Sequence, residues 1–380
     1  MVDIDSNYMR MALWEAKKGK GKTSPNPCVG ALVVKNGKIA GKGYHKKAGT
    51  PHAEIHALKA AGRKAKGATL YVTLEPCNHT GRTPPCTEAI LRAGISHVVI
   101  GMRDPNPQVA GGGAEHLAAQ GLKVVSGVME QECREINLPF IKYTATGLPW
   151  VTMKAGMSID GRIAALPGQA TMITGKQSLQ HVHALRNQVD AILVGIGTAL
   201  ADDPSLTTRL QGPVSGRNPL RVVLDAELRL PASAKMLQQD PSVGTWIFCA
   251  RGADKKRRNQ LEKTGAVVKT VPVAYGNALD LKAVLAVLGQ SRVTSLLVEG
   301  GSRVHGSFLE SGLVDRLLLF VAPKFLGEHG VPLATFPGKR DKDDLPRLEI
   351  IKTRRYGEDV LLEGRFFNKN IKENTDDRSG

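Results

Sequence analysis

The chain has 380 residues, 42% hydrophobic and 23% charged, with 52 Lys and Arg against 35 Asp and Glu for a formal net charge of +17. That balance excludes a disordered or collagen-like chain, and the length exceeds one ordinary compact core, so two domains are expected. No uncharged apolar run approaches the ~18 residues that cross a bilayer.

The N-terminal stretch MVDIDSNYMRMALWEAKKGKGK carries its acids first and its lysines last, the reverse of a secretory signal, so a cytoplasmic protein is expected. ALVVKNGKIAGKGY reads as a hairpin turning at Asn36-Gly37. AEIHALKAAG is a short helix stopped by glycine, ATLYVTL a strand, TEAILRAG a second helix and HVVIGM a second strand. AEHLAAQG and LKVVSGV continue the alternation. EQECREINLPFIKYTATGLPW reads as a helix running into a turn-rich segment, with the domain boundary near Gly147-Leu148-Pro149. The first domain is thus an α/β unit over 1–147.

A second alternating series covers 148–367. WVTMKAGMSIDG, the helix KQSLQHVHALRNQ and the buried strand AILVGIG open it. RVVLDAELRL, TWIFCA and AVVKTVPV read as strands, with the helix KKRRNQLEK between the last two. LKAVLAVLG is a helix, SLLVEGG a strand, HGSFLESG a helix and RLLLFVAP a strand. LEIIKTRRYGEDVLLEGRF closes the fold as a hairpin. The polar tail 368–380 is expected to be disordered. There is no internal repeat.

Five cysteines, an odd number spread thinly, argue against structural disulfides and for metal ligation or catalysis. In TPHAEIHAL and LEPCNHTGRTPPC, His52 and Cys86 each open a helix, and Cys77 follows a strand. One imidazole and two thiolates suit tetrahedral zinc and leave a fourth position for water. Glu54 stands two residues from the histidine, where it can carry a proton between that water and a leaving group. H-x-E followed by P-C and a further Cys is the signature of zinc deaminases. The alternative is a closed structural site with His79 or Cys28 as fourth ligand.

PNPCVGALVV, GYHKKAGTPHAEIHAL, LEPCNHTGRTPPC and GMRDPNP together resemble the deaminase half of the bifunctional riboflavin-biosynthesis deaminase–reductase family. Eight residues separate Cys77 from Cys86, whereas nucleoside and tRNA deaminases carry two. The resemblance implies that His79 and Arg82 hold a phosphoribosyl-aminopyrimidine, and that Asn26, His45, Asp104 and Asn106 line the same pocket. Cys28 occupies the motif's variable position and is read as a small buried hydrophobe.

In the second half, VGIGTALADDPSLTTR shows a strand, a Gly-x-Gly turn and an acidic turn. SLLVEGGSRVHGSFLESG runs from a buried strand through Gly-Gly into a helix. Such turns bind phosphate through free N–H groups, but they are common in α/β sheets. With KAGMSIDGRIA and APKFLG they resemble the family's reductase half, whose fold is similar to dihydrofolate reductase and which uses NADPH. The resemblance implies cofactor contacts at Gly156, Met172, Thr198, Asp202, Gly301, Ser302, Arg303, Val304, His305, Gly306 and Ser307. It implies substrate contacts at Lys154, Ala170, Arg186, Leu206, Arg209 and Glu299, with Asp160 flanking. Many relatives carry Ser and Trp at the positions of Ala170 and Met172, and Ala226 lacks a hydroxyl that others have.

The implied enzyme first deaminates 2,5-diamino-6-(5-phosphoribosylamino)pyrimidin-4-one, then reduces the ribosyl group to ribityl with NADPH. Its expected partner is thus a small phosphorylated aminopyrimidine, and a homo-oligomer, dimer or tetramer, is expected. A zinc-dependent nucleic-acid (tRNA) deaminase or a non-catalytic zinc-stabilised RNA-binding module would share the cysteines and welcome the charge. The first predicts two-residue cysteine spacing and no nicotinamide domain. Aromatic residues, 4% of the chain, do not interleave with the basic runs, which argues against a single-strand stacking platform, and a nucleic-acid partner is not expected.

Overall fold

The computed structural model describes residues 3–79, 84–106, 112–211, 216–239, 242–274, 278–336 and 346–366; Arg82 and the tail 368–380 lie outside them. The chain divides into two compact units, Met1–Pro149 with Gly289–Thr294, and Trp150–Leu288 with Ser295–Gly380. Among the described residues, no helix is long and apolar enough to cross a membrane.

The first unit contains α1 (Ile4–Lys17), β1 (Gly30–Lys35), β2 (Lys38–Tyr44), α2 (Ala53–Ala61), β3 (Thr69–Leu74), α3 (Cys86–Arg92) and β4 (His97–Met102). α4 (Gly113–Ala119), β5 (Lys123–Ser126), α5 (Glu130–Ile136) and α6 (Leu138–Thr146) complete it. The five strands form one sheet in the order β2-β1-β3-β4-β5. β1 is antiparallel to both its neighbours, whereas β3, β4 and β5 run parallel. At the hairpin, Asn36 and Gly37 both take positive φ, 50° and 71°, as a tight two-residue turn requires. Leu32, Val33, Leu70, Val72 and Ile100 are fully buried in the core.

α2 lies directly on β2. A Cβ on Gly41 or Gly43 would collide with the Ala57 or Ala53 carbonyl oxygen, so two alternate glycines on one strand face clear a track for the helix backbone. That track fixes where α2 begins. The segment after β5 differs from expectation, because α6 replaces the turn-rich stretch. Pro139 sits in the first turn of α6, where its missing N–H costs nothing, and Gly147 ends the helix at φ 70°.

The second unit contains β6 (Trp150–Ser158), β7 (Arg162–Ala164), α7 (Lys176–Arg186), β8 (Ala191–Gly195), α8 (Ile196–Asp202), β9 (Leu220–Leu224), β10 (Thr245–Cys249), α9 (Lys255–Glu262) and β11 (Val267–Thr270). α10 (Leu281–Gln290), β12 (Ser295–Gly300), α11 (Ser302–Glu310), β13 (Arg316–Ala322), β14 (Val331–Pro332), β15 (Leu348–Tyr356) and β16 (Asp359–Phe366) follow. A nine-stranded sheet has the order β11-β10-β9-β8-β12-β6-β13-β16-β15. It is parallel from β11 through β13, and the closing hairpin β15-β16 adds antiparallel strands at one end.

Two local expectations are corrected here. RVVLDAELRL is a strand only as far as Leu224. The Asp225 side chain accepts the Leu230 N–H at 2.8 Å and Leu228 takes φ 55°, so the chain turns out of the sheet. The segment after AILVG is the helix α8, entered at Gly195, in place of a Gly-x-Gly turn.

Candidate active sites

In the first unit, His52 is the N-cap of α2, Glu54 lies in that helix's first turn, Cys77 follows β3, and Cys86 opens α3. The ligand atoms of His52, Cys77 and Cys86 all lie within 4.8 Å of one another. His52 Nδ1 is 3.2 Å from Cys86 Sγ and 3.5 Å from Cys77 Sγ, and the Cys86 backbone N–H points at Cys77 Sγ over 3.4 Å. A tetrahedral zinc at about 2.1 Å from nitrogen and about 2.3 Å from sulfur holds such a pair about 3.5 Å apart. The three side chains therefore fit zinc as they stand. The hydrogen bond from the Cys86 thiol holds Cys77 well below the ordinary thiol range, which favours the thiolate form that binds metal.

Glu54 is 3% exposed, and its Oε2 has no hydrogen-bond partner. Burial pushes its carboxyl above the usual range, only partly offset by the charge of His52. A buried carboxylate oxygen without a partner is costly, and this one stands beside three metal-type donors. A cavity of about 210 Å³ opens on His52, Glu54 and Cys77. Asn26, His45, His79, Asp104 and Asn106 line it too, so the structure brings together every described residue singled out for this pocket.

His45 Nδ1 lies 3.3 Å from the Pro51 carbonyl oxygen and Nε2 3.2 Å from Asn26 Nδ2. The first contact requires a proton on Nδ1, so Nε2 accepts from the Asn26 amide and the ring is neutral. Burial, which lowers its pKa, acts in the same direction. Cys28 stands apart from the cluster, with its sulfur against Thr23 Oγ1 at 3.4 Å. Glu75 and Phe140 also line the cavity, and sequence reasoning passed over both. Phe140 escaped because its segment was not read as helix.

In the second unit, Lys154 on β6, Arg186 at the end of α7 and Glu299 on β12 form one buried ionic group. Arg186 donates to both Glu299 oxygens, and its third nitrogen donates to the Thr207 carbonyl at 3.1 Å. The guanidinium fork of Arg186, a side chain expected to contact substrate, is thus occupied within the protein. Arg209 is exposed, with its backbone N–H on His183 Nδ1 at 3.3 Å. Leu206 is buried at φ 52°. Asp160 accepts the Leu326 and Gly327 N–H groups at 3.1 and 2.7 Å, fastening the end of β6 to the loop after β13. Ala170 is exposed and Met172 is 82% exposed.

β12 runs beside both β8 and β6, so Gly195, Gly300 and the residues after Gly156 come to one edge of the sheet. Gly300 and Gly301 take φ 95° and 66°, and Gly301 caps α11. A Cβ on Gly301 would lie 2.8 Å from Thr198 Oγ1, so the Gly300-Gly301 turn packs closely on α8. The rest of that motif divides by helix face. Ser302 bonds Thr335 Oγ1 at 2.6 Å, His305 Nδ1 bonds the Leu333 carbonyl at 3.0 Å, and Gly306 lies against the Thr335 carbonyl. Those three side-chain positions serve the protein interior, and burial lowers His305 to about 4, so it stays neutral. Arg303 is exposed, Val304 and Ser307 are half-buried, and Asp202 is exposed at the end of α8.

The two sites define a zinc-type deaminase unit followed by a reductase unit. Family models agree: "Cytidine and deoxycytidylate deaminase zinc-binding region" matches residues 2–102, and "RibD C-terminal domain" matches residues 149–362. The riboflavin biosynthesis protein RibD of Aquifex aeolicus is 45% identical, covering 95% of this chain and 98% of its own. The solved Acinetobacter baumannii RibD, form 1, is 35% identical with TM-score 0.86 over 96% of this chain and 99% of that one. A Thermotoga maritima structure titled as a diaminohydroxyphosphoribosylaminopyrimidine deaminase/5-amino-6-(5-phosphoribosylamino)uracil reductase has TM-score 0.84 at 35% identity, again over 96% and 99%. The chain belongs to the RibD family of riboflavin biosynthesis proteins. It is accordingly a bifunctional enzyme, a deaminase and a reductase, and its cofactors are zinc and NADPH.

Proposed function

We propose that the first unit performs the deamination with His52, Cys77 and Cys86 holding zinc and Glu54 moving the proton, and that the second performs the reduction at the edge shared by β8, β12 and β6. When bound, zinc supplies a Lewis acid that readies water as a nucleophile near neutral pH, and NADPH supplies the hydride. Glu54, kept out of water with one oxygen unpaired, takes the nucleophile's proton and delivers it to the departing amine. Asn26, neutral His45, His79, Asp104 and Asn106 orient the pyrimidine and its phosphoribosyl arm. In the second unit, N–H groups at the Gly301 turn receive a cofactor phosphate. Glu299, held anionic by Lys154 and Arg186, faces the substrate, and Arg209 meets its phosphate.

The observation that carries this reading is the buried Glu54 carboxyl, one oxygen without a partner, set against the His–Cys–Cys cluster in one cavity. The test is incubation of purified protein with the diaminopyrimidine substrate, with and without NADPH, and identification of products by mass. Ammonia release in both tubes and a ribityl product only with NADPH are expected. Unchanged substrate in both overturns the reading. We also propose self-association as a dimer or tetramer, supported by the exposed edge strand β15 with Ile350 and Ile351 outward. A cytoplasmic setting is supported by five cysteines, none of them in a disulfide and two of them in the proposed zinc cluster.

A further inference from the structure

Glu75 stands between β3 and the cysteine loop and is 6% exposed. Its backbone N–H still pairs with the Met102 carbonyl of β4, at 2.9 Å, so its Cα is fixed by the sheet. The carboxylate reaches over the ends of two elements. Oε2 accepts the Asp104 N–H at 3.2 Å, and Oε1 accepts the Ala114 N–H at 3.0 Å and Arg103 Nη1 at 3.3 Å. Arg103 extends the network to Glu115 Oε1 at 2.7 Å, and Asp104 Oδ1 accepts the Asn106 N–H at 2.9 Å. The start of α4 is pressed onto the same spot, since a Cβ on Gly113 would strike the Pro76 carbonyl and come within 3.3 Å of Glu75 Cγ.

Asp104 and Asn106 line the deaminase cavity, and neither is carried by a strand or helix. We infer that Glu75 is a positioning residue of the deaminase site, holding the 103–106 segment so that Asp104 and Asn106 meet the aminopyrimidine substrate. The inference rests on the substrate reading above. Glu75 acts through its neighbours, because both of its oxygens are already engaged by N–H groups of this segment and of α4. A lone surface acid before Pro-Cys would do nothing of the kind; three convergent donors on a buried carboxylate distinguish this one.

Glu75→Gln keeps the shape but turns an NH₂ group toward an N–H that had an acceptor. In that variant KM for the diaminopyrimidine is expected to rise about tenfold while kcat falls by less than about threefold, with zinc content unchanged. Amide hydrogen exchange of residues 103–106 is expected to speed up. NADPH oxidation with the deaminated intermediate stays at the wild-type rate. An unchanged KM overturns the inference, as does a raised KM with unchanged exchange, which would make Glu75 a direct substrate contact. Zinc loss, or a parallel loss of reductase activity, overturns it too, by making Glu75 a support of the metal loop or of the whole unit. Should Glu75→Gln fail to fold, Arg103→Met removes one arm of the network, and a rise in KM of about threefold is expected, an unchanged KM overturning the inference. Wild-type protein that releases no ammonia sinks the substrate reading instead, and the exchange measurement still tests the anchor.

Discussion

Arg186 and Glu299 meet fork to fork: Nε to Oε1 is 2.8 Å and Nη2 to Oε2 is 2.7 Å, with side chains 11% and 7% exposed. Burial alone would raise the Glu299 carboxyl, but Lys154, whose Nζ is 3.2 Å away, and Arg186 outweigh it and hold the group well below the carboxylate range. A depressed folded-state pKa stabilises the fold fully above the ordinary value of 4.5 and progressively less as pH falls below it. Arg186→Ala should destabilise the second unit by about 3–5 kcal/mol, because it strands a buried charge with Lys154 alone. Glu299→Gln should likewise be less stable than wild type at neutral pH, with the gap narrowing below about pH 4.5. Denaturant unfolding across pH measures this, and a constant gap would refute the electrostatic account.

Glu54→Gln preserves volume and removes only the proton carrier. Zinc content and substrate binding should stay, and ammonia release should fall about 10²–10⁴-fold. Metal analysis and an ammonia assay on one preparation decide it. Near-normal ammonia release would rule out Glu54 as the carrier.

Cys77→Ala and Cys86→Ala each leave two donors where zinc needs three from the protein. Both variants should lose zinc and deamination together while still oxidising NADPH with the deaminated intermediate. Retention of about one zinc per chain in both would defeat the ligand assignment.

The deaminase constellation is legible in the sequence because each member is placed by local rules. His52 and Cys86 sit at helix starts that their own residues specify. Contacts between distant segments are not legible in this way. Arg186 lies 113 residues from Glu299, so nothing local shows that its fork is filled. Glu75 looks like any acid before Pro-Cys until Asp104 and Ala114, 29 and 39 residues on, fold over it. The strand-Gly-Gly-helix motif is read locally as a turn into a helix, yet which face of α11 is buried depends on Leu333 and Thr335, in a segment whose sequence carries no matching signal. The helix α6 escaped because Pro139 reads as a breaker unless the helix is known to start one residue before it.

Gly301 tests whether the two chemistries are separable. Its φ of 66° belongs to the left-handed region, and a Cβ there would lie 2.8 Å from Thr198 Oγ1 of α8. A β-branched side chain suffers most, because it adds bulk against Thr198 and strains the backbone by about 1–3 kcal/mol. Gly301→Val should therefore abolish NADPH oxidation, and Gly301→Ala should impair it less. The deaminase cavity draws its lining from 26–140, all in the other unit, so ammonia release should continue and the deaminated ribosyl intermediate should accumulate. Ammonia and NADPH absorbance are followed on the same preparation, with circular dichroism to confirm folding. A folded Gly301→Val protein that oxidises NADPH at the wild-type rate would remove this turn from the cofactor site. Loss of both activities in a folded variant would instead mean that the two sites do not work independently.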